Sequence, residues 1–123
     1  MLNELEPVLG KLDTGFLKTK GEKNMTKNLL NKKVIVRGDR SGVFFGTLTA
    51  KKGTEVKLEK CRRLWYWDGA ASISQIAAEG VTKPEECKFT MTVDEIVILD
   101  AIEIIPCTDV AVDIIEGVKV WKM

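Results

Sequence analysis

The sequence predicts a mainly β protein, a small five-stranded barrel carrying one or two short helices and presenting a binding face. Three observations carry that expectation. Apolar residues alternate with polar ones in several short runs, Val56 and Leu58 between Glu55, Lys57 and Glu59 being the plainest case. Turn-forming clusters such as GDRSG at 38–42 and KKG at 51–53 separate those runs. Two stretches, at 72–79 and 108–116, instead carry helix caps and helix stops.

In chain order, VIVR at 34–37 is a strand ended by GDRSG, and VFFGTLTA at 43–50 is a second strand. Gly46 lies within that strand, where a residue without a side chain marks a bend or bulge. TEVKLEK at 54–60 is the third strand. RRLWYW at 62–67 is expected to be a further strand, with Leu64 and Tyr66 on one face and Arg63, Trp65 and Trp67 on the other. Ser72, with Gln75 three residues on, forms a capping-box pattern, and Gly80 ends that helix. TKPEECKF is a polar connection, after which MTVDEIVIL and AIEIIPC are two strands joined by a tight turn near Asp100 and Ala101. Thr108 or Asp109 caps the last helix, Gly117 ends it, and Trp121 anchors the tail. Residues 1–31 are expected to be an arm or extension with Met25 as an alternative start, and residues 32–123 the single barrel domain.

At 123 residues the chain can bury a core without disulfides or a structural metal. Neither a membrane-spanning apolar run nor a secretory signal pattern is present, so a cytoplasmic location is expected. Cys61, Cys87 and Cys107 are odd in number and far apart, and the chain has no histidine, which argues against common zinc sites and for reduced, buried thiols. The missing histidine also removes the commonest general base. A non-enzymatic protein without metal or cofactor is therefore expected. Charge is uneven: residues 1–67 hold 15 Lys and Arg against 7 Asp and Glu, and residues 68–123 hold 4 against 11. Such asymmetry suits a basic binding face, or docking between halves or subunits.

The block from Arg62 to Ser72 carries the candidate ligand contacts: Arg62, Arg63, Trp65, Trp67, Gly69, Ala70 and Ser72. Arginine offers phosphate a planar fork of donors, and tryptophan offers a base a flat face. Arg63, Trp65 and Trp67 on one strand face would span about 13 Å at about 3.3 Å per residue, the size of a nucleotide. The start of the helix beyond Ser72 adds N–H groups that suit an anion. The same residues can equally be core or subunit interface, with the arginines paired to carboxylates of the second half. The carboxylates Asp94, Glu95, Asp100 and Glu103 are expected to be solvated or salt-bridged, and Arg37–Asp39 to be a turn.

VIVRGDRSGVFFGTLTAKKGTEVKLE resembles the first motif of Sm-like domains, and IVILDAIEIIP the second. Here RRLWYWDGAASISQIAAEG stands between the motifs, and the RNA-contacting residues of that family have no one-to-one counterparts. The likeness is therefore to the barrel, which generic SH3-like barrels share. A second resemblance is to a family of small proteins common in tailed-phage genomes. It is carried by V-x-V-R at 34–37, G-T-L at 46–48, R-R-x-W-x-W-x-G-A at 62–70, V-D-E-I at 93–96 and A-x-E-I-I-P-C at 101–107. That resemblance implies a phage or prophage origin and, by analogy with small phage proteins that sequester immune nucleotide signals, a sponge for a cyclic nucleotide or an ADP-ribose-type signal. A single-stranded nucleic-acid binder and a structural or protein-partner module are the alternatives. A homo-oligomer is expected in each case, because open strand edges invite a neighbouring copy.

Overall fold

The computed structural model describes residues 27–123. Most of the predicted arm at 1–31, including Met25, therefore lies outside the described residues. The elements are β1 (Lys33–Gly38), β2 (Val43–Lys52), β3 (Glu55–Tyr66), α1 (Ile73–Glu79), a 3-10 turn (Pro84–Glu86), β4 (Lys88–Phe89), β5 (Val93–Ile98), β6 (Ala101–Pro106) and α2 (Asp109–Gly117). All six strands are antiparallel members of one sheet in the order β4-β3-β2-β1-β6, with β5 also paired to β3. The expected mainly β class with two short helices is what the chain adopts.

Closure into the expected five-stranded barrel is not seen, and the sheet has six strands. Among the described residues no ladder joins β5 to β6, so the sheet stays open. These two strands are consecutive, but they hydrogen-bond away from each other, β5 to Val56–Cys61 of β3 and β6 to Val34–Gly38 of β1. TEVKLEK and RRLWYW, expected as separate strands, are one strand. A bulge centred on Lys60 (φ +50°) bends it, and the register against β2 shifts there from Thr47 opposite Glu59 to Phe45 opposite Arg62. Gly46 faces that bulge as expected: a Cβ on it would come within 3.1 Å of the Cys61 Cα and the Glu59 carbonyl. The connection at 81–89 contains the 3-10 turn and the two-residue β4, neither of which its polar composition announced.

Both faces of the sheet centre are covered, and Val34, Ile35 and Val36 are all fully buried. On one face Ile35, Phe45, Leu64 and Phe89 meet Ile76 and Ala77 of α1 and Ala111 and Ile115 of α2. Each helix is capped as the sequence predicts. Ser72 Oγ accepts from Gln75 N (3.2 Å) while Gln75 Oε1 accepts from Ala71 N (2.8 Å), and Thr108 Oγ1 accepts from Ala111 N (3.1 Å). Among the described residues no helix is long and apolar enough to cross a membrane.

Two side-chain ties hold the hairpin tips. Asp100, in the β5–β6 turn, accepts from Ser41 Oγ (2.5 Å), Arg40 N (2.8 Å) and Ser41 N (3.1 Å) of the β1–β2 turn. These bonds to its charged form, the Ser41 hydroxyl foremost, hold its carboxyl below the ordinary range. Arg37 Nε meets Glu103 Oε1 at 2.8 Å across β1 and β6. Of the Arg37–Asp39 tripeptide, expected to be a turn, Arg37 and Gly38 are the last residues of β1 and Asp39 opens the turn.

Candidate functional site

The second half of β3 places the candidate residues, and alternation sends them to different environments. Arg62 pairs with Phe45, whose ring belongs to the core under the helices, and so points inward. It is 3% exposed. Its Nε donates to the Thr90 carbonyl (2.8 Å), Nη1 to those of Ile115 (3.0 Å) and Val118 (3.1 Å), and Nη2 to that of Phe89 (3.1 Å). The guanidinium also lies 5.6 Å from the Phe89 ring centroid. Burial pulls its pKa down, and the four carbonyls, two of them at the C-terminal end of α2, compensate the lost hydration. Arg62, expected among the ligand contacts, is a pin joining β3, β4, α2 and the tail.

Arg63 pairs with Phe44 and lies on the other face. Its guanidinium stacks 4.5 Å from the Phe44 ring centroid, and its Nη1 donates to the Ser41 carbonyl at 2.6 Å. Among the described residues it meets no carboxylate, and its other guanidinium donors have no protein acceptor. Trp65 shares that face and is 63% exposed. Its ring stacks on Trp121 of the tail, centroids 6.2 Å apart and planes 11° from parallel. The expectation that Trp67 joins them is corrected, because the strand ends at Tyr66 and Trp67 packs half-buried against the helix-side core.

Gly69, Ala70 and Ser72 are built into the connection to α1. Gly69 sits at φ +87°, and a Cβ there would stand 2.5 Å from Lys83 N and 2.6 Å from Thr82 Oγ1. Its carbonyl accepts from Thr82 N (3.1 Å) and Thr82 Oγ1 (3.2 Å). Ala70 packs against the core. Ser72 spends its hydroxyl on the cap of a helix of only seven residues. Of the seven predicted contacts, the structure leaves Arg63 and Trp65 facing outward together.

The sequence does not single out two further participants. Lys88, on β4, holds its ammonium 5.6 Å from the Trp121 ring and 5.9 Å from that of Tyr66. Trp121 is marked by the sequence only as an anchor for the tail. Its backbone N donates to the Phe89 carbonyl (2.9 Å) beside a Phe89–Val120 bridge, so the two-residue β4 brings it to Trp65. Lysine next to Phe89 in so short a strand carries no periodic signal that would have marked it.

The cysteines are free, and burial raises their pKa, to about 12 at Cys61 and about 11 at Cys107, with Cys87 also raised. Among the described residues no group of His, Cys, Asp or Glu side chains is arranged to hold a metal ion.

Residues 31–115 match a family described as a domain of unknown function, DUF6948, and because the match spans more than half of the chain, the protein belongs to that family. No curated protein matches the sequence.

Proposed function

We propose that this member of the DUF6948 family is a non-catalytic binding protein that sequesters an anionic, flat-ringed ligand of the cyclic nucleotide or ADP-ribose type. The observation that carries the reading is the exposed Trp65 ring beside Arg63, whose remaining donors are free of carboxylate partners among the described residues. A flat face for stacking and a planar fork for phosphate stand two residues apart, roughly 7 Å along the strand. The resemblance to small tailed-phage proteins adds the biological setting: a cytoplasmic role in an infected or lysogenic host, removing an immune signal without chemistry on it.

The finer architecture belongs to the same proposal. The order of the strands supports an Sm-like or SH3-like relationship for this open sheet, its last two strands joined through the Leu99–Asp100 turn with no ladder between them among the described residues. The edges of β5 and β6 that no strand covers among the described residues suit pairing with another copy. Val97 (50% exposed), Leu99 (66%) and Ile102 (51%) place apolar surface there, which supports a homo-oligomer.

Native mass spectrometry of the full chain with cyclic dinucleotides, ADP-ribose and a short oligo-uridine tests the reading. The expected result is an oligomer carrying a fixed number of signal molecules, recovered intact on denaturation. Retention of the oligonucleotide alone, with steep loss at higher salt, would favour the single-stranded nucleic-acid reading. Retention of nothing would leave a structural or protein-partner role.

A further inference from the structure

The exposed aromatic side chains among the described residues, Trp65, Tyr66 and Trp121, gather in one place. Trp65 stacks on Trp121, and the Lys88 ammonium lies 5.6 Å from the Trp121 ring and 5.9 Å from that of Tyr66. At roughly 150–250 Å² per fully covered ring, with about half of each still open, the three hold on the order of 300 Å² of apolar surface. A patch of that size on a single chain commonly marks a contact site, and tryptophan and tyrosine are residues that anchor such contacts. Past Trp121 the surface is cationic. Lys119 and Lys122 line a cleft with Gly117, Val120 and Trp121, and Glu85 is the carboxylate among its lining residues. Among the described residues Lys88, Lys119 and Lys122 make no ion pair.

The neighbouring helix carries the opposite chemistry. Ala111 and Ile115 of α2 turn into the core, so Asp109, Val110, Asp113 and Gly117, spaced by three and four residues, share its outer face. Val110 is 61% exposed on that face, and neither Asp109 nor Asp113 has a cation partner among the described residues. Gly117 belongs to both surfaces, since it ends α2 and lines the cleft with Lys119. An acidic face with an apolar centre thus runs into a basic face with aromatic anchors, and among the described residues their charges do not pair within the chain. Two such faces side by side are complementary to a second copy turned through half a rotation.

We infer that the chain forms a two-fold dimer in which the Asp109, Val110 and Asp113 face of each copy lies on Tyr66, Trp121 and the lysines of the other. The inference goes beyond the ligand reading and does not depend on it; Trp65, two residues from Arg63 on β3, stays at the margin of the contact. It also uses a surface other than the edges of β5 and β6, so the dimer can be a unit within a larger assembly. A stable interface covers about 800 Å² on each partner, more than the rings alone supply. The two-fold adds to them the α2 face and the lysine stems, because each copy gives both surfaces to the same contact.

The test is sedimentation equilibrium of the full chain as wild type, as the Lys119→Glu, Lys122→Glu double variant, as the Asp109→Lys, Asp113→Lys double variant, and as an equimolar mixture of the two variants. The dimer predicts an even number of chains for wild type, with association that weakens as salt rises. Each variant should halve that number, because like charges then face each other in both contacts. The mixture should recover the wild-type number, because both contacts again pair opposite charges. Lysine in the first turn of α2 opposes the helix dipole, so Asp113→Lys alone takes the place of its double variant should that one have a lowered denaturation midpoint. A monomeric or odd-numbered wild type, a variant that keeps the wild-type number, or a mixture that stays dissociated overturns the dimer. Binding of a monomeric wild type to anionic phospholipid vesicles, lost in Lys119→Glu, Lys122→Glu, would overturn it in favour of a membrane surface.

Discussion

The two halves of β3 obey the same alternation with opposite chemistry. From Glu55 to Lys60 the strand follows the ordinary rule: Val56 and Leu58 are fully buried while Glu55, Glu59 and Lys60 face solvent. Beyond the bulge, a charged Arg62 goes inside and an aromatic Trp65 stays outside. A solvated arginine and a packed tryptophan would be the low-cost arrangement, so both inversions call for a compensating partner. Arg62 has one in the four carbonyls it gathers. Trp65 has only the half-exposed Trp121 stack, and the rest of its apolar surface stays wet. The first half of the strand is scaffold; the second pairs an internal pin with an external face.

That contrast ranks the effects of substitution. The largest is expected at Arg62. Arg62→Ala removes the guanidinium from four carbonyls, of which those of Phe89 and Ile115 keep a backbone donor, and should cost about 3 kcal/mol, read from urea denaturation, with tryptophan fluorescence shifting as the tail loosens. A loss below about 1 kcal/mol would show that the pin is dispensable. Next comes Gly69→Ala, which combines a left-handed backbone with a Cβ driven to 2.5 Å from the Lys83 amide, an expected cost of about 2 kcal/mol or more in the same assay.

Asp100 acts through pH. Its carboxyl is held below the ordinary value in the folded chain, first by the Ser41 hydroxyl, so its contribution is full above the unfolded pKa and is lost as pH falls through the folded one. Asp100→Asn should flatten the acid limb of a midpoint-versus-pH profile and leave its neutral to alkaline portion parallel to that of wild type. The smallest effect is on thiol chemistry. With Cys61 raised to about 12 and Cys107 to about 11, a thiol reagent at neutral pH should leave both unmodified in the folded chain and titrate them on unfolding. Rapid native modification of Cys61 would mean that β3 opens readily beside its bulge.

The scaffold is the part legible in the sequence. Val56 and Leu58 announce an alternating strand, Ser72 and Gln75 a cap, and Gly46 a bend, because each signal is local and has a single structural meaning. The face is legible only in part, since Arg62 and Arg63 are the same residue type side by side and nothing local says which one turns inward. The core partner of Arg62 is the end of α2, 53 residues on, and that distance hides the answer. Trp67 departs from the expected face because the strand ends one residue before it. The missing ladder between the last two strands has a related reason: two consecutive strands with apolar alternation suggest a hairpin, whereas among the described residues β5 and β6 pair with β3 and β1.

The most direct measurement of the division between pin and face is the Trp65→Ala variant, assayed in parallel for its denaturation midpoint and for retention of ADP-ribose or a cyclic dinucleotide. Trp65 is 63% exposed, so the account predicts a midpoint close to wild type and a loss of about tenfold or more in affinity for the base-bearing ligand. A variant that unfolds early yet binds as wild type does would place Trp65 in the scaffold and contradict the account.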